Sequence, residues 1–339
     1  MEKFRKYERG NRMDESKFYA YCLQGDVSSA LEYLRLIPNK SKKYQELESK
    51  YDHRFFGGKP VYRFKTDDPW IRKVLLTYFQ YFTSVLTGKN VEDAETQLVK
   101  SLAELISDND LIDNLDLIEE KLKIIFEEKG YRFLGGVTSP FRGPYIWKTT
   151  KKQDFTVELP LQTQKVTVYF ISDFIMQSWI HFATFGKKFA RGWAKAEGLY
   201  YVDEGPMKKR AKLDSNEFQV SYLKHEAQHL SDYIRFPNLH PKDLEYRAKL
   251  VELIYESKSF RLLKKFYYEA KNDPKFPHPY SSYVLMTRMS TLAFGLDEIQ
   301  NLEKWKSVDC AKIQDWARNL YDEHSEQLIV SGKETKGVI

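Results

Sequence analysis

Apolar residues recur every three or four positions through the first 130 residues, with charged residues between them, which is the period of amphipathic helices. In GDVSSALEYLRLIPNK, Asp26 stands as an N-cap, Ala30, Leu31, Leu34 and Leu36 form one stripe, and Pro38 ends the run. DDPWIRKVLLTYFQYFTSVLTGKN follows the same plan, with Asp68 before Pro69 and a stop at Gly88. VEDAETQLVKSLAELISDND and DLIEEKLKIIFEEKG keep the helical period as far as Gly130. The pattern then changes. YRFLGGVTSPFRGPYIWKTT gathers glycines, prolines and aromatics, as turns and a boundary do. DFTVELPLQTQKVTVYFIS predicts two strands about a turn at Pro160 to Thr163, and the poor alternation of Val166 to Ile171 predicts burial on both faces. DFIMQSWIHFATFG predicts a helix ending at Gly186, and GLYYV predicts a strand from Gly198 to Val202. From Asn216 the helical period returns and runs to the polar tail SGKETKGVI. The expected fold class is α+β, predominantly helical. A helical domain spans 1–130, a domain with a small mixed sheet and further helices spans 131–330, and a polar tail occupies 331–339.

Composition narrows the function classes. Of 339 residues, 42% are hydrophobic and 30% charged, an ordinary globular balance. No run approaches the apolar length of a membrane span, and MEKFRKYERGNRMDESK lacks the apolar centre of a secretory signal. Cys22 and Cys310 make no disulfide framework, so a cytoplasmic protein is expected. The net charge of +6 is spread over short clusters such as KKYQELESK, TTKKQ and MKKRAK. No zinc-finger spacing, glycine-rich phosphate loop or aromatic RNA-binding signature accompanies them, so neither nucleic acid nor membrane is the expected partner. The amino-terminal helices suit packing or the recruitment of a protein partner.

The candidate chemistry lies in SYLKHEAQHLSDY, Ser221 to Tyr233. With seven histidines in the chain, His-Glu-x-x-His is expected by chance in about one such chain in a hundred. At about 100° per residue, Leu223, Ala227, Leu230 and Ile234 form a core stripe, and His225, His229 and Asp232 lie on the opposite side. That second face, with Phe218, Tyr222 and Tyr233 around it, carries the residues of a covered surface. Two histidines four apart project from adjacent turns, so both rings can reach one zinc ion. A catalytic site needs a third protein ligand and leaves one position to water. Glu245, opening the next helical segment, is the leading candidate, with His240 and Asp232 as alternatives. Asp232 and Glu252 are assigned as outer partners, Asp232 holding a histidine ring by its other nitrogen. Glu226 is placed to accept a proton from the activated water, and His278 or Tyr280 in KFPHPYSSYVL to stabilise the oxyanion.

HEAQH followed by a glutamate on the next helix resembles the glutamate-ligand branch of the zincin metallopeptidases. The resemblance covers Phe218 to roughly Glu252. It implies one zinc ion per chain held by His225, His229 and Glu245, with Glu226 as general base and a peptide or protein as substrate. It also implies an active-site helix beneath a small sheet whose edge strand pairs with the substrate, for which GLYYV is the candidate, a buried strand being equally compatible with its residues. Thermolysin-like members carry an aspartate four residues after the ligand glutamate, where this chain has Lys249. No glycine follows His229 as the astacin-like group requires. The competing reading is a non-catalytic helical interaction protein with packed histidines or a structural metal.

Overall fold

A computed structural model describes residues 13–58, 60–107, 114–204 and 213–339. The chain divides into two compact units, one running through Thr149 and including Ser172–Ala190, the other formed by Thr150–Ile171 and Arg191–Ile339. The fold is α+β and mostly helical.

The first unit opens with α1 (Glu15–Leu23), α2 (Val27–Arg35) and α3 (Lys42–Tyr51), and α3 continues directly into a wide π-helical turn at Asp52–Phe56. α4 (Pro69–Leu86), α5 (Val91–Ile106) and α6 (Leu115–Glu128) follow. The helix starts obey local chemistry. Asp26 accepts the backbone N–H of Ser29, Asn90 that of Asp93, and Asn114 that of Leu117. Asp68 does more: its Oδ1 accepts from the N–H groups of Trp70 and Ile71, while its Oδ2 receives Lys129 Nζ at 2.9 Å. Asp68→Ala is therefore expected to lower stability by about 1–2 kcal/mol, read as a lower urea midpoint at unchanged slope. Ala30, Leu31 and Leu34 are buried as the stripe predicts, with Val27 beside them, whereas Leu36 is 78% exposed, because α2 has already ended at Arg35. Ile71, Val74, Leu75, Tyr78, Phe82 and Leu86 carry the core through α4.

β1 (Arg132–Leu134) pairs antiparallel with the start of β4 (Tyr145–Glu158), and the short β2 (Val137–Thr138) pairs with β3 (Phe141–Arg142). β4 turns at residues 159–162 into β5 (Thr163–Gln177). β5 runs six residues beyond Ile171, so DFIMQ is strand where a helix is expected, and only α7 (Ser178–Ala183) is helical. The cause is burial at alternate positions: Phe174 and Met176 both face the core, which an extended strand satisfies as well as a helix does. The stretch from Val166 to Ile171 alternates in burial, with Val166, Val168 and Ile171 inside and Thr167, Tyr169 and Phe170 partly exposed, so it is not buried on both faces.

In the second unit, β6 (Gly192–Lys195) pairs antiparallel with β7 (Gly198–Val202), and β7 pairs parallel with β5, Val168 opposite Leu199 and Ile171 opposite Val202. The strand order is β1-β4-β5-β7-β6. β7 is thus an inner strand, every residue of it buried, and the expectation that GLYYV forms the sheet edge is corrected: β6 is the edge. Gly192 makes this possible, since a Cβ there would lie 2.4 Å from the Tyr200 carbonyl oxygen and 2.3 Å from the Tyr222 ring.

The helices of this unit begin with a short turn at Asn216–Phe218 and a wide π-helical stretch at Gln219–Lys224, leading straight into α8 (His225–Arg235). α9 (Pro241–Tyr255), α10 (Ser259–Glu269), α11 (Pro277–Phe294), α12 (Leu302–Trp305) and α13 (Cys310–Ser331) complete it. Among the described residues no helix is long and apolar enough to cross a membrane. Cys22 and Cys310 are free thiols.

Candidate metal centre

α8 and α9 build the site. Leu223, Ala227 and Leu230 are buried, as the stripe requires, but Ile234 is 62% exposed in the last turn of α8. The histidine face is covered too: His225, His229 and Asp232 are all buried, as are Phe218 and Tyr222, while Tyr233 remains open. The wide stretch before His225 separates the phases of these two sets. Phe218 packs among Phe155, Phe170 and Tyr201 of the sheet, whereas His225 and His229 turn toward α9.

Across from them α9 is buried almost throughout its length, its charged residues included. Glu245 projects its carboxylate between the two rings. His225 Nε2 lies 3.7 Å from Glu245 Oε2, His229 Nε2 lies 3.4 Å from Glu245 Oε1, and the two Nε2 atoms are 3.1 Å apart. His225, His229 and Glu245 are the group of ligand-type side chains that converges among the described residues. Two turns along α9, Glu252 Oε1 takes His225 Nδ1 at 2.8 Å, which leaves the Nε2 lone pair of that ring aimed into the cluster. No hydrogen bond reaches His229 Nδ1 among the described residues.

The donor set fits a divalent ion. Ligand atoms about 2.0–2.1 Å from a tetrahedral centre stand about 3.3 Å from one another; here the two Nε2 atoms are 3.1 Å apart, each has a different Glu245 oxygen 3.4–3.7 Å away, and one ligand atom from each residue lies within 4.8 Å of the other two. The electrostatics agree in sign. Burial pulls the His229 imidazole down, but the hydrogen bond and charge of Glu245, with the charges of Glu226 and Asp232, hold it up at about 9. Burial would raise Glu245, yet His278 and His229 together push it well below the usual carboxylate range. A field that favours a proton between these groups favours a cation there.

The remaining expected residues fall as follows. Glu226 lines the same cleft and forms no hydrogen bond or ion pair among the described residues. The cleft measures about 220 Å³ and is walled by Gly192, Trp193 and Ala194 of the edge strand. His278, at the start of α11, places Nδ1 2.8 Å from Glu245 Oε2 with its side chain 60% exposed at the lip. Tyr280 lies outside the cleft lining, its ring beside Lys242 and Tyr283. His240 caps α9, accepting the Lys242 N–H, and stands apart from the cluster. Asp232 does not hold a histidine ring. It pairs instead with Arg247 Nε at 2.9 Å, both side chains fully buried, because α9 brings a guanidinium rather than an imidazole to that turn.

Two residues outside the expected set shape the site. Arg247 ties α8 to α13, donating to Asp232, Ser325 Oγ and Tyr321 OH, while Tyr321 OH donates to Gln228 Oε1. Lys249 is buried and donates to the backbone carbonyl of His278 and to Ser281, Ser282 and Glu269. It therefore fastens the start of α11, and with it His278, to the helix that carries Glu245. Its neighbours one turn away on α9 are Glu245, Tyr246, Glu252 and Leu253, so no local pattern marked it as a support.

No protein-family model, no curated protein and no solved structure matches the chain. Its chemistry is read from the site alone.

Proposed function

We propose that the chain is a zinc-dependent metallopeptidase of zincin-like architecture. The observation that carries this reading is the convergence of His225 Nε2, His229 Nε2 and the Glu245 carboxylate within ligand spacing, beside an unpaired Glu226. Bound zinc would supply Lewis acidity, acidifying a water and polarising a substrate carbonyl. The protein's own groups do the rest. Glu226 takes a proton from the attacking water and passes it to the leaving amine nitrogen as the C–N bond breaks, giving a carboxylate and an amine. Glu252 fixes the His225 tautomer, and Arg247 and Lys249 hold α8, α9 and α11 in register around the ligands. The edge strand β6, with Gly192 to Ala194 on the cleft, offers backbone groups to an extended peptide. His278 lies at the lip, where a donor to the developing oxyanion belongs. A cytoplasmic setting goes with this reading, since both cysteines are free.

The purified chain is expected to carry about one zinc per molecule by elemental analysis, and His225→Ala or His229→Ala to lose it. Metal-free wild type, or wild type that cleaves nothing in a mixed peptide library, would overturn the proposal. The contact of His278 with Glu245 favours a second reading, in which four protein ligands close a structural metal site. In that case a chelator would unfold the second unit, and the wild type would cleave no peptide.

A further inference from the structure

The first unit contains a second cleft, of about 670 Å³, with no part in the chemistry above. That volume falls in the range of about 300–1,000 Å³ that takes a drug-sized ligand. Six aromatics are among its lining residues: Phe79 and Phe182 stack with ring centroids 5.0 Å apart, Tyr62 tilts against Phe79 at the same spacing, and Phe185 also lines the cleft. Planar faces of this kind suit a planar ligand ring in offset stacking. The charges lining the cleft all have one sign. Lys50, Arg54, Arg63, Lys65 and Lys187 face it, and no aspartate or glutamate does. None of the five forms an ion pair with a carboxylate among the described residues.

Arg54 is the most telling of them. It sits in the wide turn after α3, where Nη1 donates to the Phe182 carbonyl at 2.8 Å and the guanidinium lies 3.6 Å from the Phe185 ring centroid. Burial pushes its pKa down to about 10, the mark of a cation held without a counter-charge. Elsewhere in the chain a buried guanidinium is neutralised, as Arg247 is by Asp232. Two cleft residues also hold left-handed backbone without being glycine, Ser178 at φ 57° and Phe185 at φ 50°. Such conformations cluster at ligand sites, where the surroundings hold them in place. A single carboxylate would leave most of this charge unmatched, whereas a phosphate group carries about −1.5 to −2 and three acceptor oxygens.

From the aromatic walls and the unopposed cations we infer that this cleft binds a phosphorylated small molecule bearing a planar ring, of the mononucleotide class. The ring stacks on Tyr62, and the phosphate reaches Arg54, which lies over Phe185, and the lysines at the rim. Calorimetric titration of the full chain with AMP, GMP, UMP and their diphosphates, beside adenosine and inorganic pyrophosphate, tests it. At least one nucleotide is expected to bind at one per chain, with a Kd below about 1 mM. Adenosine and pyrophosphate should each bind about tenfold more weakly or worse. Arg54→Met, and separately the exposed pair Arg63→Gln with Lys65→Gln, should each weaken the nucleotide about tenfold or more. The exposed pair cannot fail through misfolding of the core, so it keeps the test decisive if Arg54→Met unfolds. The inference is overturned if no nucleotide binds the wild type, if pyrophosphate alone binds as tightly as any nucleotide, or if the exposed pair binds unchanged.

Discussion

Glu226→Gln is expected to keep one zinc per chain and to lose about 10²–10⁴-fold in kcat, the range general acid–base catalysis contributes. The substitution is isosteric, and Glu226 forms no hydrogen bond or ion pair among the described residues, so folding has little to lose. It is neither a member of the ligand cluster nor a support of one, so the metal has no reason to leave. What disappears is the proton acceptor. Since that group acts on the water rather than on substrate binding, KM should hardly move while kcat falls. The measurement pairs metal analysis with steady-state rates on a peptide the wild type cleaves. An unchanged kcat would remove Glu226 from the mechanism and with it the peptidase reading.

Asp232→Ala is expected to be the most destabilising substitution at the site, costing about 3–5 kcal/mol, because it strands the Arg247 guanidinium in a fully buried position. The loss spreads along a chain of contacts. Arg247 also donates to Ser325 and lies 3.3 Å from His324 Nδ1, and His324 Nε2 meets Asp243 Oδ1 at 3.2 Å. This arrangement needs the neutral Nε2–H ring, and burial does push His324 below its ordinary value. Removing both charges should cost far less: Asp232→Leu with Arg247→Met is expected to recover most of the loss, since apolar replacement of a buried pair is often near neutral. Urea titrations of the single and double variants measure the coupling. Equal losses in both would show that the pair contributes packing rather than charge.

Much of the site was legible in the sequence because helical spacing is rigid. His225 and His229 had to share a face, and a carboxylate opening the next antiparallel helix had a short path back to them. A carboxylate behind a histidine ring was legible as a type of residue, with Asp232 assigned to that role and Glu252 named as an outer partner. Which of them reaches it depends on the rotation of α9 about its axis, which no local pattern encodes. Lys249 and Arg247 were illegible as supports because a charge in a helix reads as solvent-facing until the third helix covering it is known. In the fold, the capped helices up to Gly130 followed from Asp26, Asp68 and the apolar stripes. The extension of β5 through DFIMQ did not, since a short apolar run serves strand and helix alike. Nor did the place of GLYYV inside the sheet, which depends on Gly192 letting β6 approach.

The extra-wide turns at Asp52–Phe56 and Gln219–Lys224 have a shared consequence. Each spends one more residue per revolution than an ordinary helix, so the side chains before and after it point in directions a uniform spiral could not combine. In the second unit this lets one continuous rod show aromatics to the strands and imidazoles to its neighbouring helix. In the first, it follows a helix whose Tyr51 is wholly interior with Arg54, whose guanidinium lies over Phe185 and donates to the Phe182 carbonyl. Removing one residue from either turn would let it close as an ordinary revolution with the groups on both sides still pointing as they do, whereas the same deletion elsewhere in the rod would rotate one side against the other by about 100°.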